Sequence, residues 1–306
     1  MYTYERYLSA KKTVDDRALY RGACEEVGKH LARVHTRPWQ ILEVGGGIGT
    51  MVARLVDWRL LGRAEYLLVD ESAELLAQAR RWLADWAAAR GASYEASADG
   101  IVIKNRGVDL RVRLYHADVQ TFLDRKDPAT KADLLIANAF LDLVDLTATL
   151  PALLAQLSAD GMYWFTINYD GETIFLPEHR LDAQLVRAYN HSMDERRRGD
   201  RPAGDSKTGR HLFQHLARLG AAPTAVGASD WVVHSIGKTY SADEAYFLRH
   251  IVNTVDAELQ RHSQVVASDR IEWSHLRHAQ IDCGELVYIA HQLDFAGTAS
   301  PAARVG

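Results

Sequence analysis

The sequence holds only two cysteines, Cys24 and Cys283, far apart and in no C-x-x-C pair. That argues against a disulfide scaffold and against a structural zinc site. Positive charge is not in excess either. Lys and Arg number 36 against 40 Asp and Glu, for a net charge of −4. A protein that grips nucleic acid by its phosphates needs a broad basic face, so no nucleic-acid partner is expected. The basic run "DERRRGDR", from Asp194 to Arg201, has acids interleaved and reads equally well as a solvated helix end. No apolar run approaches the roughly 18–20 residues of a membrane span. The N-terminal "MYTYERYLSAKKTVDDR" lacks the apolar stretch of a secretion signal. No membrane partner is expected, and the chain is read as cytoplasmic.

Two further absences concern nucleotide ligands. No lysine lies between Trp39 and Lys104, which removes the P-loop, G-x-x-x-x-G-K-[ST]. No frame of G-x-G-x-x-G fits the glycines at 45, 46, 47 and 49. Counting from Gly45 the third glycine falls on Thr50, and counting from Gly46 the second falls on Ile48.

What is present is an ordinary globular composition, 47% hydrophobic and 25% charged, in a 306-residue chain that suits one elaborated domain or two. "WQILEV" reads as a buried strand that runs into the glycines. "TMVARLVDWRLLG" follows as a helix stopped at Gly62. "AEYLLVD" is a second buried strand ending at Asp70. Ser72 caps a helix with Leu75, Leu76, Ala79, Trp82, Leu83 and Trp86 on its apolar face, stopped at Gly91. This βαβ alternation predicts a parallel sheet with right-handed crossovers. "GIVIKNRGVDLRVRLYHADV" reads as a hairpin whose second arm is strand three. "ADLLIANAF" is strand four, a helix follows Pro151 and closes at Gly161, and "MYWFTINYD" is strand five.

After Asp170 the alternation pauses. Residues 171–204 read as a helical insertion, 205–236 as a core helix and strand six, and 237–282 as a second helical insertion. Residues 283–296 contain strand seven, and 297–306 form a frayed tail. A capping box of Ser241 and Glu244 is expected to open the second insertion.

Glu43, Gly45, Gly47 and Gly49 spell E-x-G-x-G-x-G, which resembles motif I of the class I S-adenosylmethionine-dependent methyltransferases. The resemblance covers the α/β core, roughly Arg37 to Asp170. It implies a Rossmann-like fold: a seven-stranded, mostly parallel sheet with helices on both faces, plus helical insertions forming a cap. It implies S-adenosylmethionine as cofactor, bound by residues 36–170 beneath an N-terminal helical lid, 1–35. The loop of Glu43, Gly45, Gly46, Gly47 and Gly49 would pass the methionine and ribose, bare because any Cβ would meet the ligand. Asp70 would bind both ribose hydroxyls, and Asp118 the adenine amino group with Val119 nearby. Asn138, Ala139 and Phe140 would lie near the sulfonium.

The acceptor is read less directly. Enzymes that methylate amino groups of bases or amides carry [ND]-P-P-[YFW] after strand four, whereas this chain has "NAFLD" without either proline. With the mild acidity, that favours O- or N-methylation of a small molecule. A binding protein without methyl transfer, or a protein methyltransferase, are the alternatives. Asn168, Asp170, Asp194 and Trp231 are the candidate acceptor contacts, Trp231 by stacking on a planar or cationic group. His191, oriented by Asp194, and His211 are the candidate bases. Asp142, Asp145, Asn168 and Asp170 have metal-ligand chemistry but read better as caps and turn formers, so no metal is expected. The oligomeric state is left open.

Overall fold

The computed structural model describes residues 3–125, 131–261 and 265–299. Two helices open the chain, α1 (Tyr4–Ala18) and α2 (Arg21–Leu31). Then come β1 (Trp39–Val44), α3 (Thr50–Asp57), β2 (Arg63–Asp70) and α4 (Ala73–Ala89). The Ser72 side chain caps α4 as expected, accepting from the Leu75 N–H at 3.2 Å. Helix α3 is shorter than the sequence pattern implied. It ends at Asp57 because Arg59 adopts φ 59°, which a continuing helix does not allow.

The expected hairpin is β4 (Gly100–Asn105) with β5 (Val108–His116), but an unexpected exposed strand, β3 (Ser93–Ser97), precedes it. A short helix, α5 (Val119–Leu123), leads to β6 (Ala132–Asn138), in which six of seven residues are buried. Helix α6 (Leu146–Leu154) starts and ends earlier than expected, with Pro151 inside it. The cause is Asp145, whose carboxylate accepts from the Thr147 and Ala148 N–H groups and so caps the helix upstream of the proline. Strand β7 (Leu157–Leu176) consequently absorbs Gly161 and runs for 20 residues.

The first insertion is α7 (Asp182–Asp194) and a two-residue hairpin of β8 (Arg197–Arg198) and β9 (Arg201–Pro202). Helix α8 (Thr208–Arg218) follows. Strand six divides into β10 (Pro223–Ala228) and β11 (Trp231–Val233). The second insertion is α9 (Glu244–Leu259) and α10 (Ala267–Asp282), and the last strand is β12 (Val287–Thr298). No side-chain capping bond opens α9. Glu244 is instead buried and accepts from Thr13 and Arg17 of α1. Gly297 and Thr298, expected to fray, belong to β12, and Ala299 is buried. The rest of that expected tail lies outside the described residues.

The main sheet has ten strands rather than seven, in the order β10-β12-β7-β6-β1-β2-β5-β4-β3, with β11 pairing β12. Its centre, β7-β6-β1-β2-β5, is parallel throughout. The added strands at both edges are antiparallel. Apolar residues alternate across it. Ile41 joins the cluster beneath α1, α2, α3, α4, α7, α9 and α10, while Leu42 joins the one beneath α5, α6 and α8. This is the doubly wound, Rossmann-like arrangement. Each buried Leu, Ile or Val of these faces contributes roughly 1.5–3 kcal/mol over exposure. The chain leaves β1 for β2 on one side and returns through β5 to β6 on the other. A crevice therefore opens at the carboxyl ends of β1 and β6, where such sheets bind ligands.

Candidate active site

The glycine loop fills the lip of that crevice. Gly45, Gly47 and Gly49 have φ of 65°, 53° and 80°, conformations that side chains strain to adopt. Part of the bareness serves the protein's own packing. A Cβ on Gly45 would run into the Phe140 ring, and one on Gly46 into Leu68. At Gly47 the nearest atom is Leu8 Cδ1, 3.1 Å away on α1. The expectation that any Cβ here would meet the ligand is therefore corrected for Gly45 and Gly46, whose space belongs to neighbouring side chains. Gly49 stands at the N-cap of α3 and does not line the cavity described below.

Asp70 ends β2 beside this loop. Its carboxylate accepts from the Gly47 N–H and the Ser72 N–H, each at 2.9 Å. Burial raises its pKa, and those two N–H groups oppose the rise. A carboxylate offers about four acceptor positions, so Asp70 keeps capacity toward the cavity that it lines. Glu43 lies deeper, accepting from Tyr66 Oη at 2.7 Å, and burial pushes its carboxyl up to about 8. Two residues other than glycine with positive φ line the same cavity: Ala139 at 50°, after β6, and Ile167 at 58°, within β7. Ala139 donates its N–H to the Thr166 carbonyl at 2.8 Å, and Ile167 donates to Asp294 Oδ1 at 2.7 Å. Unfavourable backbone held by such bonds concentrates at functional sites.

These groups line one end of a cavity of about 1140 Å³. Single-ligand pockets run to about 300–1,000 Å³, and this one is slightly larger. Its other end lies over β7, β11 and β12 and under α7, α9 and α10. Helix α1 spans both ends: Leu8 lies beside Gly47, and Tyr4, Tyr7, Lys11 and Asp15 line the cavity from the same helical face. Tyr7 stacks on His250 of α9 with ring centroids 3.7 Å apart, and burial lowers the His250 pKa to about 4. The imidazole is therefore neutral near pH 7, a hydrogen-bonding group rather than a cation. Lys11 bonds Asp15 at 2.6 Å, Asp15 also contacts Arg54 at 3.3 Å, and burial lowers the Lys11 pKa. Asp142, just after β6, has a buried Oδ1 without a partner, and burial raises its pKa to about 6.

The expected cofactor residues Glu43, Gly45, Gly46, Gly47, Asp70, Val119 and Asn138 all line this cavity. Asp118 does not. Its carboxylate caps α5, accepting from the Gln120 and Thr121 N–H groups and from the Thr121 hydroxyl, which holds its pKa below the usual range.

Of the acceptor candidates only Trp231 lines the cavity. Its Nε1 donates to Asp15 at 2.9 Å and the Lys11 ammonium sits 5.0 Å from the ring centroid. Asn168 is fully buried and donates to the Leu293 carbonyl, joining β7 to β12. Asp170 is held by Arg210, accepting from both its N–H and its guanidinium. Asp194 accepts from the Ser206 N–H and hydroxyl. All three serve the scaffold.

Both candidate bases are corrected too. His191 is half exposed on the outer side of α7 and pairs with Glu195 at 3.1 Å, not with Asp194. His211 pairs with Asp205 at 2.7 Å on the exposed side of α8. Neither reaches the cavity; among the described residues the histidine that does is His250. Tyr4, Tyr7, Lys11, His250 and Gln292 were missed as site residues. The one legible signal was the aromatic and basic stripe of α1. No group of three or more His, Cys, Asp or Glu that could hold a metal ion occurs among the described residues. No helix among them is long and apolar enough to cross a membrane.

No protein-family model and no curated protein matches the chain. Similar solved structures exist. A SAM-dependent methyltransferase from Thiobacillus denitrificans, in complex with S-adenosyl-L-homocysteine, is 14% identical over 98% of this chain and 100% of that one, with a TM-score of 0.46. Geranyl diphosphate C-methyltransferase from Streptomyces coelicolor A3(2) is 14% identical over 90% of this chain and 78% of that one, with a TM-score of 0.43. Likenesses of this size carry no argument about chemistry, which rests on the geometry above.

Proposed function

We propose that the protein is a methyltransferase that uses S-adenosylmethionine to methylate O or N of a small molecule. The observation that supports this best is the shared cavity. The glycine loop, Asp70 and the Asn138–Phe140 segment meet at one end of a space of about 1140 Å³, and a roofed aromatic chamber continues from there. In this reading the cofactor, when bound, supplies a methyl group on a sulfonium that a nucleophile displaces in line. Asp70 would hold the ribose hydroxyls, Val119 would flank the adenine, and Asn138 with Phe140 would border the reacting methyl. Helix α1 would cover both ligands and exclude water. Positioning of this kind contributes roughly 7–11 kcal/mol to a two-reactant step, so a strong base is not required. Neutral His250 would accept a hydrogen bond from the acceptor and take the proton that the acceptor loses.

Titration calorimetry with S-adenosylmethionine and S-adenosylhomocysteine tests the cofactor. Release of S-adenosylhomocysteine in the presence of a metabolite pool tests transfer. Binding without turnover would demote the protein to a ligand-binding role, and absence of binding would remove the proposal.

A further inference from the structure

We infer that the acceptor is a ring-bearing molecule that gives one N–H or O–H to the side-chain oxygen of Gln292, and that Gln292 selects it. The inference rests on the methyltransferase reading and concerns the far end of the same cavity.

Gln292 lies on β12, in register with Tyr169 of β7. It is only 2% exposed, and its Oε1 is buried without a hydrogen-bond partner. Its backbone is fully engaged: the N–H donates to Asp230 Oδ1 at 3.2 Å and the carbonyl accepts from the Ser229 N–H at 2.8 Å. By strand alternation its side chain shares a face with Tyr288 and Ala290, which line the same cavity. A buried amide oxygen left unpartnered is costly, and here the bonds on both sides of its residue fix it in place. A ligand that donates to it recovers that cost.

The walls beside it supply flat apolar faces. Phe175 packs edge-on against Trp273, and Tyr7 stacks on His250. Tyr169 is two residues beyond Ile167, which lines the same cavity, a rise of roughly 7 Å along a strand. One substituted ring spans that distance with its nucleophile toward the methyl and its donor toward Gln292.

The test uses protein saturated with S-adenosylhomocysteine and two probes that differ by one donor, indole and 1-methylindole, with calorimetry as readout. Indole should bind about tenfold more tightly than 1-methylindole, the worth of one hydrogen bond to a buried acceptor. In Gln292→Met the preference should vanish while the affinities for 1-methylindole and S-adenosylhomocysteine stay unchanged. Equal wild-type affinities for the two probes, or a preference that survives in Gln292→Met, would overturn the inference. The wild-type comparison stands even if the variant does not fold. Failure of wild type to bind S-adenosylhomocysteine strikes the methyltransferase reading alone, because the preference for indole is measurable without it.

Discussion

The two ends of the cavity are built in different ways. At the glycine-loop end the lining is backbone and side chains from the carboxyl ends of adjacent parallel strands: Gly45 to Gly47 after β1, Asp70 at the end of β2, Asn138 to Phe140 at the end of β6. At the aromatic end it is side chains from α1, α7, α9, α10, β7, β11 and β12, drawn from Tyr7 near one end of the described chain to Gln292 near the other. The first end takes its shape from main-chain geometry, so changes there should abolish a ligand's place. The second takes its shape from packing, so changes there should alter preference and leave the fold standing.

The largest effect expected from this contrast is at Gly47. A valine there must adopt φ near 53° beside Leu8, strain of roughly 1–3 kcal/mol, and its branches project into the ligand's space. Gly47→Val should lower affinity for S-adenosylhomocysteine at least about a hundredfold by calorimetry. Normal affinity in a variant with a reduced melting temperature would show that the loop is purely structural.

Asp70→Ala should follow, with a loss of roughly ten- to a hundredfold in S-adenosylmethionine affinity, the value of charge-assisted bonds to ribose. The variant also releases the Gly47 and Ser72 N–H groups. Circular dichroism must therefore show a folded protein before the affinity is read, and a folded variant that binds as wild type does would sink the ribose assignment.

The third expectation concerns stability and sharpens the view of Glu43 as a buried group of the scaffold. Its folded-state pKa, about 8, lies above its ordinary value of 4.5. The folded state thus holds the proton more tightly than the unfolded state. The stabilisation is fully present below about pH 4.5 and is lost as pH rises through about 8. Relative to Glu43→Gln, wild type should lose several degrees of melting temperature between about pH 5 and about pH 9. Parallel curves for the two proteins would mean that Glu43 is already ionised.

The smallest effect is expected at His191, on the outer side of α7. His191→Gln should leave the melting free energy and S-adenosylhomocysteine affinity within about 0.5 kcal/mol of wild type. A larger change in affinity would bring α7's outer face back into the site and blur the division between the two ends.

Much of the glycine-loop end was legible because it is local. Strand, glycine loop, helix and a second strand ending in an acid follow one another within Trp39–Asp70, and the main chain carries the geometry. Asp118 caps α5 while its neighbours Ala117 and Val119 line the cavity, because an acid after a strand serves as a helix cap by the same chemistry that would bind a ligand. His191 misled because a helix known to follow β7 still has two faces, and the sequence around "YNHSMDERR" did not say which one turns inward. Tyr189, two residues earlier, lines the cavity, while His191 meets solvent.

The parallel core, the glycines of the loop and the acid that closes β2 can be read from short stretches of chain, because strand alternation and positive φ are demands of neighbouring residues on one another. Only the tertiary structure decided that Phe140 and Leu68 fill the space beside Gly45 and Gly46, that Glu244 ties α9 to α1 rather than capping its own helix, and that Lys11, Trp231, His250 and Gln292 share one chamber. Those outcomes depend on which faces of distant elements are buried together. Burial is set by packing across the whole sheet, which no short stretch of chain contains.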